Sequence, residues 1–194
     1  LFETKLLIKN ILKISDKDLI FTSEVFLSES QFKIFKSFLE RRKKSEPIAY
    51  ILNKREFWKD SFYVNNSTLI PRPDSEIIIE TVLNLIPNKD KNLKFADLGT
   101  GSGCLIISLL KEYKYSEGVG IDNSKEAIKV AEKNKNILSN NSRLNFKLAD
   151  FSTFKTTEFD VIVCNPPYVN KNDIYNMQKD VTSYEPHQAI FAEE

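Results

Sequence analysis

Two short segments carry residue types whose spacing suits chemistry: Asp97-Leu98-Gly99-Thr100-Gly101-Ser102-Gly103 and Asn165-Pro166-Pro167-Tyr168. Glycines at alternate positions let a backbone turn tightly and approach a ligand, while the segment that follows aims its N-terminus at it. The dinucleotide fingerprint G-x-G-x-x-G would put its third glycine at position 104. Cys104 stands there instead. G-x-G-x-G two residues after an acid suits S-adenosylmethionine better. That molecule offers a carboxylate to the helix N-terminus and cationic groups to an acid such as Asp97. A purely structural turn is the plain alternative, and the glycines alone do not decide between them.

Two further acids bear on the choice. Asp122 closes an apolar run about twenty residues after the turn, where a carboxylate can accept both hydroxyls of a ribose. Asp150 closes the next run, where it can accept from an adenine amino group, and Phe151 beside it offers a face to the ring. Each acid alone is more often a cap or a loop residue. Three acids at three successive strand ends, one of them with a glycine turn, point to nucleotide binding.

The second segment is a rigid turn at the least. Its chemical reading starts from a planar NH2 group, whose lone pair is delocalised and attacks poorly. The Asn165 side-chain oxygen can accept one N–H and the Pro166 carbonyl the other. Holding both hydrogens favours pyramidalisation and turns the lone pair toward a methyl donor. The two prolines, Pro166 and Pro167, fix φ and hold that carbonyl in place. Tyr168 can stack on the planar group. His187 is the chain's one histidine and reads as a loop residue. A base is not required, because positioning donor and acceptor supplies much of the barrier reduction by itself.

The elements that must position these residues follow from periodicity. Leu93–Leu98, Val119–Ile121, Leu144–Leu148 and Phe159–Cys164 read as strands, with helices over Cys104–Leu110 and Lys125–Asn136 between them. Asn123 with Glu126 predicts a capping box for the latter. Strand and helix in alternation predict an α/β fold with a parallel sheet, whose ligands bind outside the C-terminal strand ends. Upstream, Leu6, Leu7, Ile11, Leu12 and Ile14 recur at helical spacing. Ser28 and Ser30 can cap a second helix with Phe32, Phe35, Phe38 and Leu39 on one face. That helix ends in Arg41, Arg42, Lys43 and Lys44, which suit a helix C-terminus better than an RNA-binding patch. Phe57, Trp58, Phe62, Tyr63 and Val64 favour a β-hairpin, with Asn65-Asn66 as a turn before Leu69-Ile70. Pro71-Arg72-Pro73-Asp74 starts the next helix, with Asp74 or Ser75 as its cap.

The bulk numbers exclude several classes. The 194 residues carry a formal net charge of +1, with 41% hydrophobic and 28% charged residues. These values exert no general pull toward nucleic acid or membrane. Residues 1–60 hold 13 Lys/Arg against 9 Asp/Glu, a mild tilt to +4. Cys104 and Cys164 match no metal spacing, so no metal is expected, and they read as reduced core residues suited to a cytoplasmic protein.

With these motifs in hand the chain resembles the protein-(glutamine-N5) methyltransferases that modify peptide-chain release factors. Four segments carry the likeness: Glu46–Leu52 with Glu56-Phe57; Leu69–Glu76; Asp97–Cys104; and Asn165–Tyr168 with Tyr184-Glu185-Pro186. The glycine turn and Asn-Pro-Pro-Tyr are shared with adenine-N6 methyltransferases, so the first two segments are the specific ones. The resemblance implies a helical recognition domain (1–50), a hairpin linker (51–75) and a Rossmann-like catalytic domain (76–194). It assigns Gly99, Thr100, Gly101, Ser102, Gly103, Asp122, Asp150, Phe151 and Asn165 to the S-adenosylmethionine pocket, and Asn165–Tyr168 to the substrate amide. It sets Arg72 and Glu76 near the active site. A release factor is the implied partner, and S-adenosyl-L-homocysteine the implied product. Asn53 replaces a glycine of the family, which Asn tolerates because it accepts positive φ. The family continues past Tyr-Glu-Pro, so the chain reads as a member shortened at its C-terminal side, and an inactive release-factor-binding fragment is a competing reading. The other is an adenine-N6 methyltransferase acting on DNA or RNA.

Overall fold

The strands read from the sequence build one sheet. In the computed structural model, residues 2–15, 17–18, 24–138, 142–151 and 158–192 are described. Strands β3 (Lys94–Leu98), β4 (Glu117–Asp122), β5 (Leu144–Leu148) and β6 (Val161–Cys164) pair in the order β5-β4-β3-β6, all parallel. The order reverses between β3 and β6, and such a switch point opens a crevice at the C-terminal strand ends. The α/β expectation holds.

Alternation along the strands explains how the sheet is covered. Phe95, Leu144, Val161 and Val163 point to one face and join a core with helices α4 (Glu76–Leu85) and α5 (Cys104–Glu112). Helix α6 (Lys125–Leu138) packs on β4 and β5. Gly118 lets the helical layer approach, and Gly120 makes room for a side chain of the neighbouring strand. A Cβ on Gly118 would lie 2.8 Å from Ile106, and one on Gly120 would lie 2.5 Å from the Phe146 ring. Ala96, Val119 and Ile121 point to the opposite face, where Leu98, Ala149 and Phe159 pack on them.

The N-terminal part holds helices α1 (Phe2–Leu12), α2 (Glu29–Lys43) and α3 (Ile48–Leu52). Ser28 caps α2 through a full capping box with Gln31. Helix α1 stops at Leu12 because Lys13 turns to φ 55, so Ile14 lies beyond it. Phe32 is exposed, away from the partly covered Phe35, Phe38 and Leu39. The basic end of α2 is not simply a dipole complement. Arg41 is clamped by Glu46, Arg42 by Glu3, and Lys43 by Glu40. Asn53 ends α3 at φ 50, in the left-handed conformation expected of it, and donates Nδ2–H to the Val64 carbonyl.

The hairpin differs from its expectation. Strands β1 (Arg55–Phe57) and β2 (Asp60–Phe62) close around Trp58-Lys59, with Trp58 at φ 54. Asn65 instead opens a separate turn, accepting Ser67 N–H on its own side chain. The tighter turn wins because Phe57 and Phe62, with ring centres 6.1 Å apart and edge to face, both bury against α4 and α5. Glu112 at the end of α5 fixes the turn from below by accepting from Trp58 Nε1, Lys59 and Lys89. Burial alone would raise the Glu112 carboxyl, but these donors outweigh it and hold it at about 2.

Candidate cofactor and amide site

Parallel register brings the chemistry-bearing residues to one edge. Leu98 pairs with Ile121 and with Cys164, and Asp122 with Leu148. The glycine turn, Asp122, the Asp150-Phe151 segment and Asn165 therefore leave the sheet side by side. Neighbouring strands lie about 4.8 Å apart, so the row from the end of β5 to the end of β6 spans ~14 Å. An elongated ligand fits such a row; a compact one would not use it all.

The turn itself is fixed from three sides. Gly99, Gly101 and Gly103 all have positive φ, from 54 to 79°, which a side chain would strain. Gly99 and Thr100 N–H groups donate to the Ile121 carbonyl, which ties the turn to the end of β4. Asp122 accepts Gly101 N–H at 2.8 Å on one oxygen and Ser124 N–H at 2.9 Å on the other. Ser124, not Asn123, also caps α6, by accepting Ala127 N–H. The capping box expected from Asn123 and Glu126 is absent because Asp122 and Ser124 organise that turn first. A third support has no counterpart in the sequence reading. Asn134 is wholly buried on α6, donates to the Ser102 and Tyr63 carbonyls, and accepts Tyr63 N–H. It ties the glycine turn to the segment after the hairpin. In the sequence it is one of two Asn in a Lys-rich helix; its spacing after Ala127, Val130 and Ala131 sets it on the buried face, but nothing local names its partners.

Asp97 lies beneath the turn. It is only 1% exposed; Oδ2 accepts the Thr100 hydroxyl at 2.7 Å, and Oδ1 is buried with no hydrogen-bond partner. Burial pushes its carboxyl up to about 7, the Thr100 bond pulls the other way, and the nearby Asp122 charge adds to the rise. A buried carboxylate with an unpartnered oxygen beside an open backbone turn suits a cationic ligand group. With Asp122 one strand away, the donor set fits S-adenosylmethionine.

Asp150 and Phe151 lie just beyond β5 and are both exposed, Phe151 at 42%. Beyond β6, Asn165 and Pro167 are half-buried, Pro166 is exposed and Tyr168 is 77% exposed. Asn165 donates Nδ2–H to Ser75 Oγ at 3.0 Å. That bond uses the N–H side of the amide and leaves Oδ1 as its acceptor.

The linker loop closes the site from the side. Neither Asp74 nor Ser75 caps α4. A short 3-10 turn, Pro73–Ser75, runs straight into it, and Ser75 makes no capping bond. Arg72 pairs with Glu185 at 2.6 Å, and the other Glu185 oxygen accepts Ile70 N–H at 3.0 Å. Tyr50 donates its hydroxyl to the Thr68 carbonyl and packs with Val64, Ile70 and Tyr184. Glu76 accepts Trp58 N–H at 2.8 Å, so its carboxylate braces the hairpin. His187 lies in a 3-10 turn rather than a loose loop, bonded to the Thr182 carbonyl and edge-on to Phe191. Cys104 and Cys164 are free, half-buried thiols; Cys104 packs against the main core as expected, and Cys164 lies at the end of β6. Among the described residues no cluster of His, Cys, Asp or Glu could hold a metal ion, and no helix is long and apolar enough to cross a membrane.

The chain is similar to known proteins along most of its length. Residues 1–52 match the PrmC N-terminal domain, and residues 89–185 match a methyltransferase domain. The release factor glutamine methyltransferase of Buchnera aphidicola subsp. Schizaphis graminum is 36% identical over 192 residues, covering 98% of this chain and 68% of that protein. The protein of the same description from Shewanella oneidensis is 38% identical over 177 residues, covering 87% of this chain and 58% of that protein. Among solved structures, a SAM-dependent methyltransferase from Agrobacterium tumefaciens superposes with a TM-score of 0.49 at 19% identity, covering 59% of this chain and 39% of that one. Near-complete coverage of this chain at such identity, with both domain models matched in order, shows that it belongs to the release factor glutamine methyltransferase family.

Proposed function

We propose that this chain transfers a methyl group from S-adenosylmethionine to the side-chain amide nitrogen, N5, of a glutamine in a peptide-chain release factor. The observation that carries the reading is the pairing of Leu98 with Cys164, which sets Asn165 directly beside the glycine turn. S-adenosylmethionine, when bound, supplies an electrophilic methyl group on a sulfonium sulfur. In this reading Asp97 faces a cationic group of the ligand, Asp122 accepts from its ribose, and Asp150 with Phe151 receives the adenine. The turn Gly99-Thr100-Gly101-Ser102-Gly103 lies against the amino-acid portion. The substrate amide is held by its two hydrogens, one on Asn165 Oδ1 and one on the Pro166 carbonyl. Pro167 keeps that carbonyl rigid, and Tyr168 lies open to stack on the amide plane. Transfer would form the N–C bond as the methyl group's C–S bond breaks, leaving the thioether of S-adenosyl-L-homocysteine, and one of the held N–H protons would pass to solvent.

The Asn-Pro-Pro-Tyr arrangement accepts any planar NH2, so substrate choice belongs to surfaces that dock the rest of the partner. Residues 1–50 are proposed to serve that purpose and 51–75 to link them to the catalytic residues 76–194. The test is methyl transfer from labelled S-adenosylmethionine to intact purified release factor, read by mass spectrometry of the glutamine peptide. Deleting residues 1–45 is expected to abolish transfer to the folded protein while S-adenosylmethionine still binds, because remote docking energy is lost. Equal or faster transfer to adenine in DNA or RNA would overturn the assignment.

A further inference from the structure

Ser75 stands where a helix cap belongs and does not cap. It precedes α4 in the right-handed helical conformation (φ −71, ψ −14), and its hydroxyl bonds no backbone N–H of the first turn. A Ser that does cap stabilises its helix by accepting one of the unpaired N–H groups of the first turn. Here the hydroxyl instead reaches across 90 positions of sequence to accept Asn165 Nδ2–H at 3.0 Å, in a half-buried setting. A local rule broken without a local gain marks a functional constraint.

The chemistry at Asn165 supplies that constraint. A terminal amide rotates about a broad, roughly two-fold torsion, so nothing intrinsic to Asn165 decides whether oxygen or NH2 faces the incoming group. Facing its NH2 toward a substrate NH2 would set donor against donor. We infer that Ser75 is a positioning residue for methyl transfer: it fixes the plane of the Asn165 amide and occupies its N–H side, so that Oδ1 is presented to the substrate amide. Ser75 is itself held by the rigid Pro73–Ser75 turn. Behind that turn, Arg72 is anchored on the buried Glu185, so the hydroxyl is delivered from a fixed base. The inference rests on Asn165 being the amide acceptor.

Four variants in the full chain test it, assayed with purified release factor and labelled S-adenosylmethionine. Ser75→Ala is expected to lower kcat by about tenfold, the effect of losing one hydrogen bond in the reacting geometry, while the KM for S-adenosylmethionine stays within about twofold. Ser75→Thr keeps the hydroxyl and restores kcat. In an Asn165→Ala background, Ser75→Ala brings no further loss, because it acts only through Asn165. A second readout needs no turnover. The Asn165 side-chain amide resonance, identified by its disappearance in Asn165→Ala, should show one exchange-protected proton that Ser75→Ala exposes and Ser75→Thr retains. If Asn165→Ala is inactive but Ser75→Ala keeps kcat within about twofold and leaves the resonance unchanged, the Ser75 role falls and the Asn165 reading stands. If Asn165→Ala itself retains full turnover, both fall.

Discussion

Asp97→Asn should separate stability from ligand binding at one buried atom. The carboxyl is raised from 3.8 to about 7, chiefly by burial. A folded-state value above the unfolded one means that the native protein holds a proton that the unfolded chain has lost. The stabilisation is complete below about pH 4 and disappears as pH rises through 7, with a slope near ~1.4 kcal/mol per pH unit in between. The full rise corresponds to about 4 kcal/mol, and more than half of it falls between pH 5 and pH 8. The substituted side chain has nearly the same shape and can still accept the Thr100 hydroxyl, but it does not titrate. Urea unfolding of the ligand-free protein at pH 5, 6, 7 and 8 should show the variant gaining about 2–3 kcal/mol on the wild type across that range. Calorimetry should show the reverse order for S-adenosylmethionine, with Asp97→Asn binding more weakly because its cation loses the facing charge. In the wild type this affinity should fall as pH drops below 7. Parallel stability profiles for the two proteins would refute the reasoning, as would unchanged affinity.

Asp122→Ala removes a carboxylate that serves both the glycine turn and the proposed ribose contact. It should weaken S-adenosylmethionine by about 2–3 kcal/mol in a calorimetric titration. Asn134→Ala leaves the Ser102 and Tyr63 carbonyls and the Tyr63 N–H without their buried partner. A loss of about 3 kcal/mol in denaturant unfolding is expected, with a larger one for Asn134→Asp, which turns a buried carboxylate against the two carbonyls. Glu112→Gln should destabilise by about 2 kcal/mol at pH 7. The Glu112 value is depressed, so the wild-type contribution is present above about 4.5 and lost as pH falls toward 2. The variant and wild type should therefore converge under acid in thermal melts.

The fold was largely legible because strands of a two-sided parallel sheet are short apolar runs with polar residues at their ends. Val161–Cys164, set between Asp160 and Asn165, is the plainest of them. The parallel pairing followed from alternation with helices and from the glycine turn. The positions of Asp97, Asp122, Asp150 and Asn165 at strand ends were legible for the same reason. What escaped were hydrogen bonds between segments distant in sequence. Nothing around Asn134 announces its grip on Ser102, and Ser75 looks like a cap until Asn165 is brought beside it. The hairpin turn was misplaced because Asn65-Asn66 has the better turn chemistry, whereas burial of Phe57 and Phe62 decides the fold. Local propensity yields to packing there. The cap of α6 shifted similarly, since Asp122 and Ser124 captured the turn that Asn123 was expected to organise.

The Glu185 clamp has a consequence for how the molecule is made. Ile70 N–H and the Arg72 guanidinium both depend on a carboxylate more than a hundred residues downstream. During synthesis the linker emerges first, and its Trp58-Lys59 hairpin can settle once α4 and α5 bury Phe57 and Phe62 and bring up Glu112. The Pro71–Ser75 turn cannot settle until Glu185 has cleared the ribosome and closed this long loop, a step set by chain entropy rather than by local preference. Ser75, and through it Asn165, is therefore among the last groups to reach its working position. A nascent chain stalled before residue 185 would carry the glycine turn with its Ile121 and Asp122 contacts, yet would lack a finished amide site. Pulse proteolysis of stalled chains on either side of Glu185 should show protection at the Pro71–Ser75 turn appearing only in the longer one.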